Sequence, residues 1–298
     1  MGVPEPRTAR RRGLPKVSQS FDATGPWVLS TRRAATNSIT LPWSGRLQRG
    51  ETVAALVGGM GRTLNGSYAE LVAVGRSNVV SINSELPWEV LAAIPESYGT
   101  AWSSLVGILK IRAGQTILIR GATSALGQAA IQIAVDQGAQ VLATTRKTER
   151  VGLLHRLGAT EVFLEGPTLS ERILQAHRQG TDAVLDIIGS STLLDSLATL
   201  RRGGHVCVVG FLGGGGPLAL EPVFQIPSGR LVSTFASALV TEGPDFPLAE
   251  IPFQQIADKV AAGTYQAKPA RVFQFHEIQA AHHAMELGTY GGKLVVTL

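Results

Sequence analysis

The sequence predicts an α/β chain: a doubly wound parallel sheet, interrupting a second, β-rich unit built from both flanks. Three observations carry that expectation. Residues 116–145 run as a strand, a glycine-marked turn, a helix and a second strand. Short apolar runs then keep alternating with helix-spaced apolar residues as far as Phe235, and neither flank keeps that rhythm.

In order along the chain, residues 50–80 are β-rich with loop glycines, including GGMGRTLNGSYAE at 58–70. Leu86-Pro87-Trp88 opens a helical bridge that continues through Trp102 and Leu109. TILIR at 116–120 is the first strand of the sheet, and GATSALG at 121–127 is the turn. Leu126, Ala130, Ile133 and Ala134 mark the helix that Gly138 ends, and residues 140–144 resume extended character. Val151, Leu154 and Leu157 give a second helix, followed by a short run at 161–164. Thr168-Leu169-Ser170-Glu171 reads as a capping box opening a third helix, which ends at Gly180. Residues 183–188 form the fourth strand, Leu193, Leu194, Leu197 and Leu200 the fourth helix, and 205–211 and 230–235 the last two strands. Gly213 to Gly216 form a turn just past the fifth strand, at the carboxyl edge where ligands bind in such sheets. Beyond them, 256–262 and 277–287 are helical, and 271–275 and 293–298 extended.

The turn suggests chemistry. Glycine lets the main chain approach a pyrophosphate, whose charge is held by unpaired N–H groups at a helix start. Gly121 and Gly127 fill those positions, and Ser124 stands where the common G-x-G-x-x-G fingerprint has its middle glycine. A site for NAD places an acid about 20 residues beyond the turn to hold the ribose 2′-OH. Thr144, Thr145, Arg146 and Lys147 stand there instead. Hydroxyls and cations suit a 2′-phosphate, so NADPH is the expected cofactor, against the alternative that Arg146, Lys147 and Arg150 are a solvated helix start.

Composition narrows the field. A chain of 298 residues, 44% hydrophobic, has ample material for about two domains. No apolar run approaches a membrane span; the densest is 206–212. The formal charge of +5 sits at the start, where nine Lys and Arg residues between Arg7 and Arg49 face only Glu5 and Asp22. This is a basic tail rather than a basic face, so no nucleic-acid partner is expected. A mitochondrial presequence is the lesser alternative, because Leu14-Pro15 and Gly25-Pro26 interrupt any amphipathic helix, and a cytoplasmic protein is expected. Cys207 is the only cysteine, which excludes an internal disulfide and a four-cysteine zinc lobe, and packing in a core strand is its expected role. The six histidines lack metal spacing, and on a helix His282 and His283 diverge.

Taken together, VAAL, NGSYAE, LPWEVLAAIPESYGTAW, GATSALGQAAIQIA, VLDIIG, CVVGFLGG and GGKLVVTL resemble the medium-chain dehydrogenase/reductase superfamily. Within it the similarity is to the zinc-independent quinone oxidoreductases and related enoyl reductases, over residues 49–298. The resemblance implies a Rossmann-type NADP-binding domain at 96–240 and a partial GroES-like catalytic domain at 49–95, to which 241–298 return. It also implies that Thr100, Ala122, Thr123, Ser124, Ala125, Leu126, Thr144 to Lys147, Gly189, Phe211, Phe235, Ala236, Ser237 and Lys293 line the cofactor cleft. Residues 1–48 depart from the family: they lack the alternation of its first catalytic strands and its Gly-His-Glu segment, so an atypical, shortened start is expected.

The implied reaction is hydride transfer from NADPH to a quinone or other α,β-unsaturated carbonyl, without a metal. Donors would stabilise the charge appearing on the acceptor oxygen. Tyr68 and Tyr98 are candidate proton donors, although a packed aromatic with a satisfied hydroxyl explains each more simply, and no catalytic acid is assigned. A non-catalytic NADPH-binding or partner-binding protein is the competing reading, motivated by the missing N-terminal strands. An enoyl reductase serving a separate biosynthetic enzyme is a variant of the first, and the cysteine count contradicts a zinc alcohol dehydrogenase. The expected partner is a small carbonyl or quinone substrate, with a homodimer as the commonest assembly.

Overall fold

Ile117, Leu118 and Ile119 are all fully buried because the strand that carries them is covered on both faces. Ile117 and Ile119 join Ala130, Ile133 and Ala134 of the helix Ala125–Asp136 on one side. Leu118 points the other way, into a cluster with Leu142, Val184, Val206, Leu169, Ile173 and Leu197. The two-residue period of a strand thus sorts consecutive apolar residues between two helical layers. Burying each such side chain is worth about 1.5–3 kcal/mol.

The computed structural model describes residues 17–21, 28–31, 47, 50–56, 59–211, 213–214, 217–240, 245–288 and 290–298, the first two segments as backbone. In chain order the strands are β1 (Val17–Phe21), β2 (Val28–Thr31), β3 (Val53–Leu56), β4 (Val79–Ser81), β5 (Thr116–Arg120) and β6 (Gln140–Thr145). They continue as β7 (Glu161–Leu164), β8 (Thr181–Asp186), β9 (Leu200–Val208), β10 (Leu231–Thr234), β11 (Arg271–Gln274) and β12 (Leu294–Thr297).

Strands β5 to β10 form a wholly parallel sheet in the order β10-β9-β8-β5-β6-β7. The order reverses between β5 and β8, and such a switch point opens a crevice at the carboxyl ends of the strands. The doubly wound α/β fold expected from the alternation is therefore present. Helices Val151–Arg156 and Leu193–Thr199 also occur where apolar spacing placed them.

The remaining strands form a second sheet in the order β11-β12-β1-β2-β3-β4. Here the expectation that residues 1–48 contribute no strands is corrected. β1 lies antiparallel to β12, with Ser18 opposite Thr297 and Phe21 opposite Leu294, and β2 bridges β1 to β3. The segment VSQSF hid its strand because Gln19 stands where alternation calls for an apolar residue, and VLST is too short to show a period. Pairing on both edges overrides that weak local pattern. The basic residues Arg7, Arg10, Arg11, Arg12, Lys16, Arg32, Arg33, Arg46 and Arg49 lie outside the described residues, as do Gly215 and Gly216 of the glycine turn.

One local expectation fails. Thr168 caps the helix Leu169–Ala176 without a side-chain hydrogen bond, so no capping box forms there. A reciprocal box appears instead at Gln274 and Glu277, ahead of the helix Ile278–Glu286. Among the described residues no helix is long and apolar enough to cross a membrane.

Candidate functional site

The loop from Gly121 to Gly127 leaves the carboxyl end of β5 at the switch point. Gly121 has φ +74°, a conformation costly for any residue with a Cβ. Ser124 then takes over what the missing middle glycine would have left to the backbone. Its Oγ donates to the Gly121 carbonyl at 2.9 Å and accepts from the Gly127 amide at 3.0 Å, making it the N-cap of the helix Ala125–Asp136. Helix geometry leaves the first-turn N–H groups of Ala125 and Leu126 without intrahelical acceptors. At Gly127 an added Cβ would lie 2.6–2.7 Å from Cα, C and O of Ala122, so only glycine lets the turn fold back on its helix. Gly127→Ala is expected to force the turn open, lowering dinucleotide affinity more than about tenfold and stability by about 1–3 kcal/mol. Calorimetric titration beside a thermal melt checks this, and unchanged binding would refute the role given to Gly127.

The end of β6 divides the four residues expected to meet a 2′-phosphate into two pairs. Arg146 and Lys147 are exposed just beyond the strand. Thr144 and Thr145 are buried, at 0% and 3% exposure. Thr144 Oγ1 donates to Glu165 Oε1 at 2.6 Å and accepts from the Gly121 amide at 3.2 Å. Thr145 Oγ1 donates to the Lys147 carbonyl at 3.2 Å and accepts the Lys147 amide at 3.1 Å. Both hydroxyl protons are committed inside the protein.

Beneath the turn lies a polar network that sequence reasoning missed. Arg120, the last residue of β5, is 2% exposed. Its Nε and Nη2 bind Glu165 at 3.2 and 2.6 Å, and its Nη1 binds Asp195 Oδ2 at 2.7 Å. Ser196 Oγ accepts from Arg120 at 3.2 Å and donates to Asp186 Oδ2 at 2.6 Å. Asp186 also accepts the amides of Ile188 and Gly189 at 2.9 and 3.0 Å, fixing the loop after β8. Burial pulls the Arg120 pKa down, and Glu165, Asp186 and Asp195 more than restore it. The available signal was positional: Arg120, Glu165 and Asp186 all fall at or just after strand ends on the carboxyl edge.

The other expected cleft residues are distributed as follows. Ala122 is buried, and Thr123 and Ala125 are partly exposed beside Leu126 in the turn. Gly189, at φ +109°, meets the chain after β9, where its Cβ would lie 2.5 Å from the Gly210 carbonyl and 3.0 Å from Phe211 Cα. Phe211 itself is 68% exposed. Phe235 is buried, its amide bonded to Val208 O at 3.0 Å and its ring tilted on Phe246 at 5.0 Å, while Ala236 is exposed and Ser237 half-buried. Lys293 is buried against Glu96, Nζ to Oε2 2.6 Å, at the wall of an open cleft of ≈ 380 Å³ that Ala125, Gln128, Ser97 and Gly292 also line. Thr100 is buried in the helix Pro95–Trp102, one turn on from Glu96, and does not line that cleft.

Tyr98 is unsuited to proton transfer. Its hydroxyl donates to Gln266 O at 3.1 Å and accepts from Gln132 at 3.0 Å, its ring stacks on Tyr265, and burial raises its pKa. Tyr68 Oη is hydrogen-bonded to His282 Nε2. Cys207 is fully buried in β9, where burial pushes its thiol up to about 11. Among the described residues no three His, Cys, Asp or Glu side chains are grouped to hold a metal ion.

The chain is similar to several known proteins. The family described as zinc-binding dehydrogenase matches residues 125–247. The chain is 28% identical over 256 residues to squalestatin tetraketide synthase clz2 of Cochliobolus lunatus, covering 83% of this chain and 10% of that protein. It is 30% identical over 203 residues to quinone oxidoreductase of Sus scrofa, covering 67% of this chain and 58% of the relative. It therefore spans about a tenth of the first and little more than half of the second. Among solved structures, 2-haloacrylate reductase superposes with a TM-score of 0.79 at 19% identity, over 98% of this chain and 94% of that one. A mycobacterial protein complexed with NADPH gives 0.78 at 18% identity, over 99% and 94%. With the switch-point turn, these similarities give the chain the fold of the medium-chain dehydrogenase/reductase superfamily, with quinone oxidoreductases among its relatives and an enoyl reductase among its structural neighbours.

Proposed function

We propose that the protein is an NADPH-dependent oxidoreductase acting on a quinone or another α,β-unsaturated carbonyl, with no part for zinc. The observation that carries the cofactor reading is the end of β6, where two exposed cations follow two inward-facing threonines and residues 144–147 include no acid. Arg146 and Lys147 would hold the 2′-phosphate through charge-assisted hydrogen bonds. The turn at 121–127 would hold the pyrophosphate against the start of its helix, and its shape fits because Gly127, where a Cβ would strike the Ala122 backbone, lets the turn close tightly onto that helix. Bound NADPH would supply the hydride. The acceptor class is suggested by the names of the quinone oxidoreductase and 2-haloacrylate reductase relatives. Zinc does not fit the donors present, a single buried cysteine and no grouped ligands among the described residues.

On this reading residues 96–240 bind the nucleotide, and 49–95 with 241–298 build the acceptor side. The described strands β1 and β2 extend that side, which supports the catalytic reading over a non-catalytic one. A cytoplasmic site of action and a homodimer go with the proposal. Intrinsic tryptophan fluorescence titrated with NADPH and NADH, followed by turnover against quinones and enones, tests binding and chemistry separately. Tighter binding of NADPH with acceptor-dependent oxidation is expected. Failure to oxidise NADPH with every acceptor in the panel would refute the catalytic reading.

A further inference from the structure

We infer that Thr144 is a positioning residue for the phosphate-binding turn, held in place by Glu165 and Arg120, and that it serves the dinucleotide without contacting its 2′-phosphate. The inference rests on the reading that the turn at 121–127 binds a dinucleotide. Its basis is a chain of hydrogen bonds whose directions are fixed by chemistry. The Gly121 N–H can only donate, so Thr144 Oγ1 accepts it, at 3.2 Å. The single hydroxyl hydrogen of Thr144 then goes to the Glu165 carboxylate, at 2.6 Å. Glu165 receives two further bonds from Arg120, which is anchored in turn on Asp195 and Ser196.

The geometry ties the carboxyl ends of three parallel strands to one amide. Arg120 ends β5, Thr144 lies in the last turn of chain of β6, and Glu165 follows β7. That amide belongs to the residue at φ +74° from which the turn departs, so the link sets the direction in which the following N–H groups face. Thr144 is 0% exposed and its hydroxyl is fully used, so it reaches a ligand only through Gly121. The pyrophosphate is common to NADPH and NADH, whereas the 2′-phosphate is not. A defect in the turn should therefore weaken both coenzymes by the same factor.

The test is Thr144→Val, which keeps the β-branched shape and removes both hydrogen bonds, measured by fluorescence and calorimetric titration with NADPH and NADH beside a thermal melt. Dissociation constants for both coenzymes should rise about tenfold and in parallel, and Thr144→Ser should restore them. Should the valine variant not fold, Glu165→Gln, which replaces the charged acceptor of the Thr144 hydroxyl with a neutral one, should raise both constants about threefold. Unchanged affinity, loss confined to NADPH, or failure of serine to rescue would overturn the inference while leaving the proposed function standing. An unaltered protein that binds neither coenzyme would overturn both.

Discussion

Replacing Arg146 and Lys147 together by alanine is expected to weaken NADPH on the order of a hundredfold and NADH by less than about threefold. Each charge-assisted hydrogen bond to a phosphate contributes about 1.5–3 kcal/mol, and exposure at the end of β6 reduces that through solvent screening. Two such contacts leave roughly 2.7 kcal/mol, which is a hundredfold. The structure sharpens this expectation, because the hydroxyls of Thr144 and Thr145 are spent inside the protein and have no proton left to share the load. The preference for NADPH should also shrink as salt is raised, since the contacts are exposed. Paired titrations of both coenzymes at low and high ionic strength decide the matter. An equal loss for NADPH and NADH would show that these cations do not read the phosphate.

The second large effect is on stability. Arg120→Met should destabilise the protein by about 2–4 kcal/mol, because it removes the buried cation shared by the partly buried Glu165 and Asp195 and leaves their charges less compensated. Methionine fills much of the volume, so the cost is electrostatic rather than a cavity. A fall in melting temperature on the order of 10 °C would register it. A fall of only one or two degrees would mean that water or neighbouring donors compensate the carboxylates, and the network would then have little structural weight.

The parallel sheet was legible in the sequence because its strands are buried on two faces and announce themselves as apolar runs. Ile117 to Ile119 and Ala183 to Leu185 need no partner to be recognised. The turn was legible from Gly121 and Gly127, which exclude other residues, the first by its positive φ and the second by its contact with the Ala122 backbone. The strands β1 and β2 were not, since Gln19 breaks the period of the first, the second is too short to show one, and β12, which flanks β1, lies far away in sequence. For the same reason the inward hydrogen bonds of Thr144 and Thr145 left no local trace. Residue type permits a threonine either to greet a phosphate or to bond inward, and only the positions of Gly121 and Glu165 decide between them. Glu96, which holds Lys293 from 197 residues away, likewise left no local trace.

The placement of β12 between β11 and β1 has a consequence for biosynthesis. A ribosome delivers all six strands of the parallel sheet once Thr234 has emerged, so that layer can assemble while translation continues. The other sheet must wait for Leu294–Thr297, which follow the whole of the parallel sheet in the chain, before its opening strand acquires its second neighbour. Until then β1 has one edge unpaired, open to pairing with another chain.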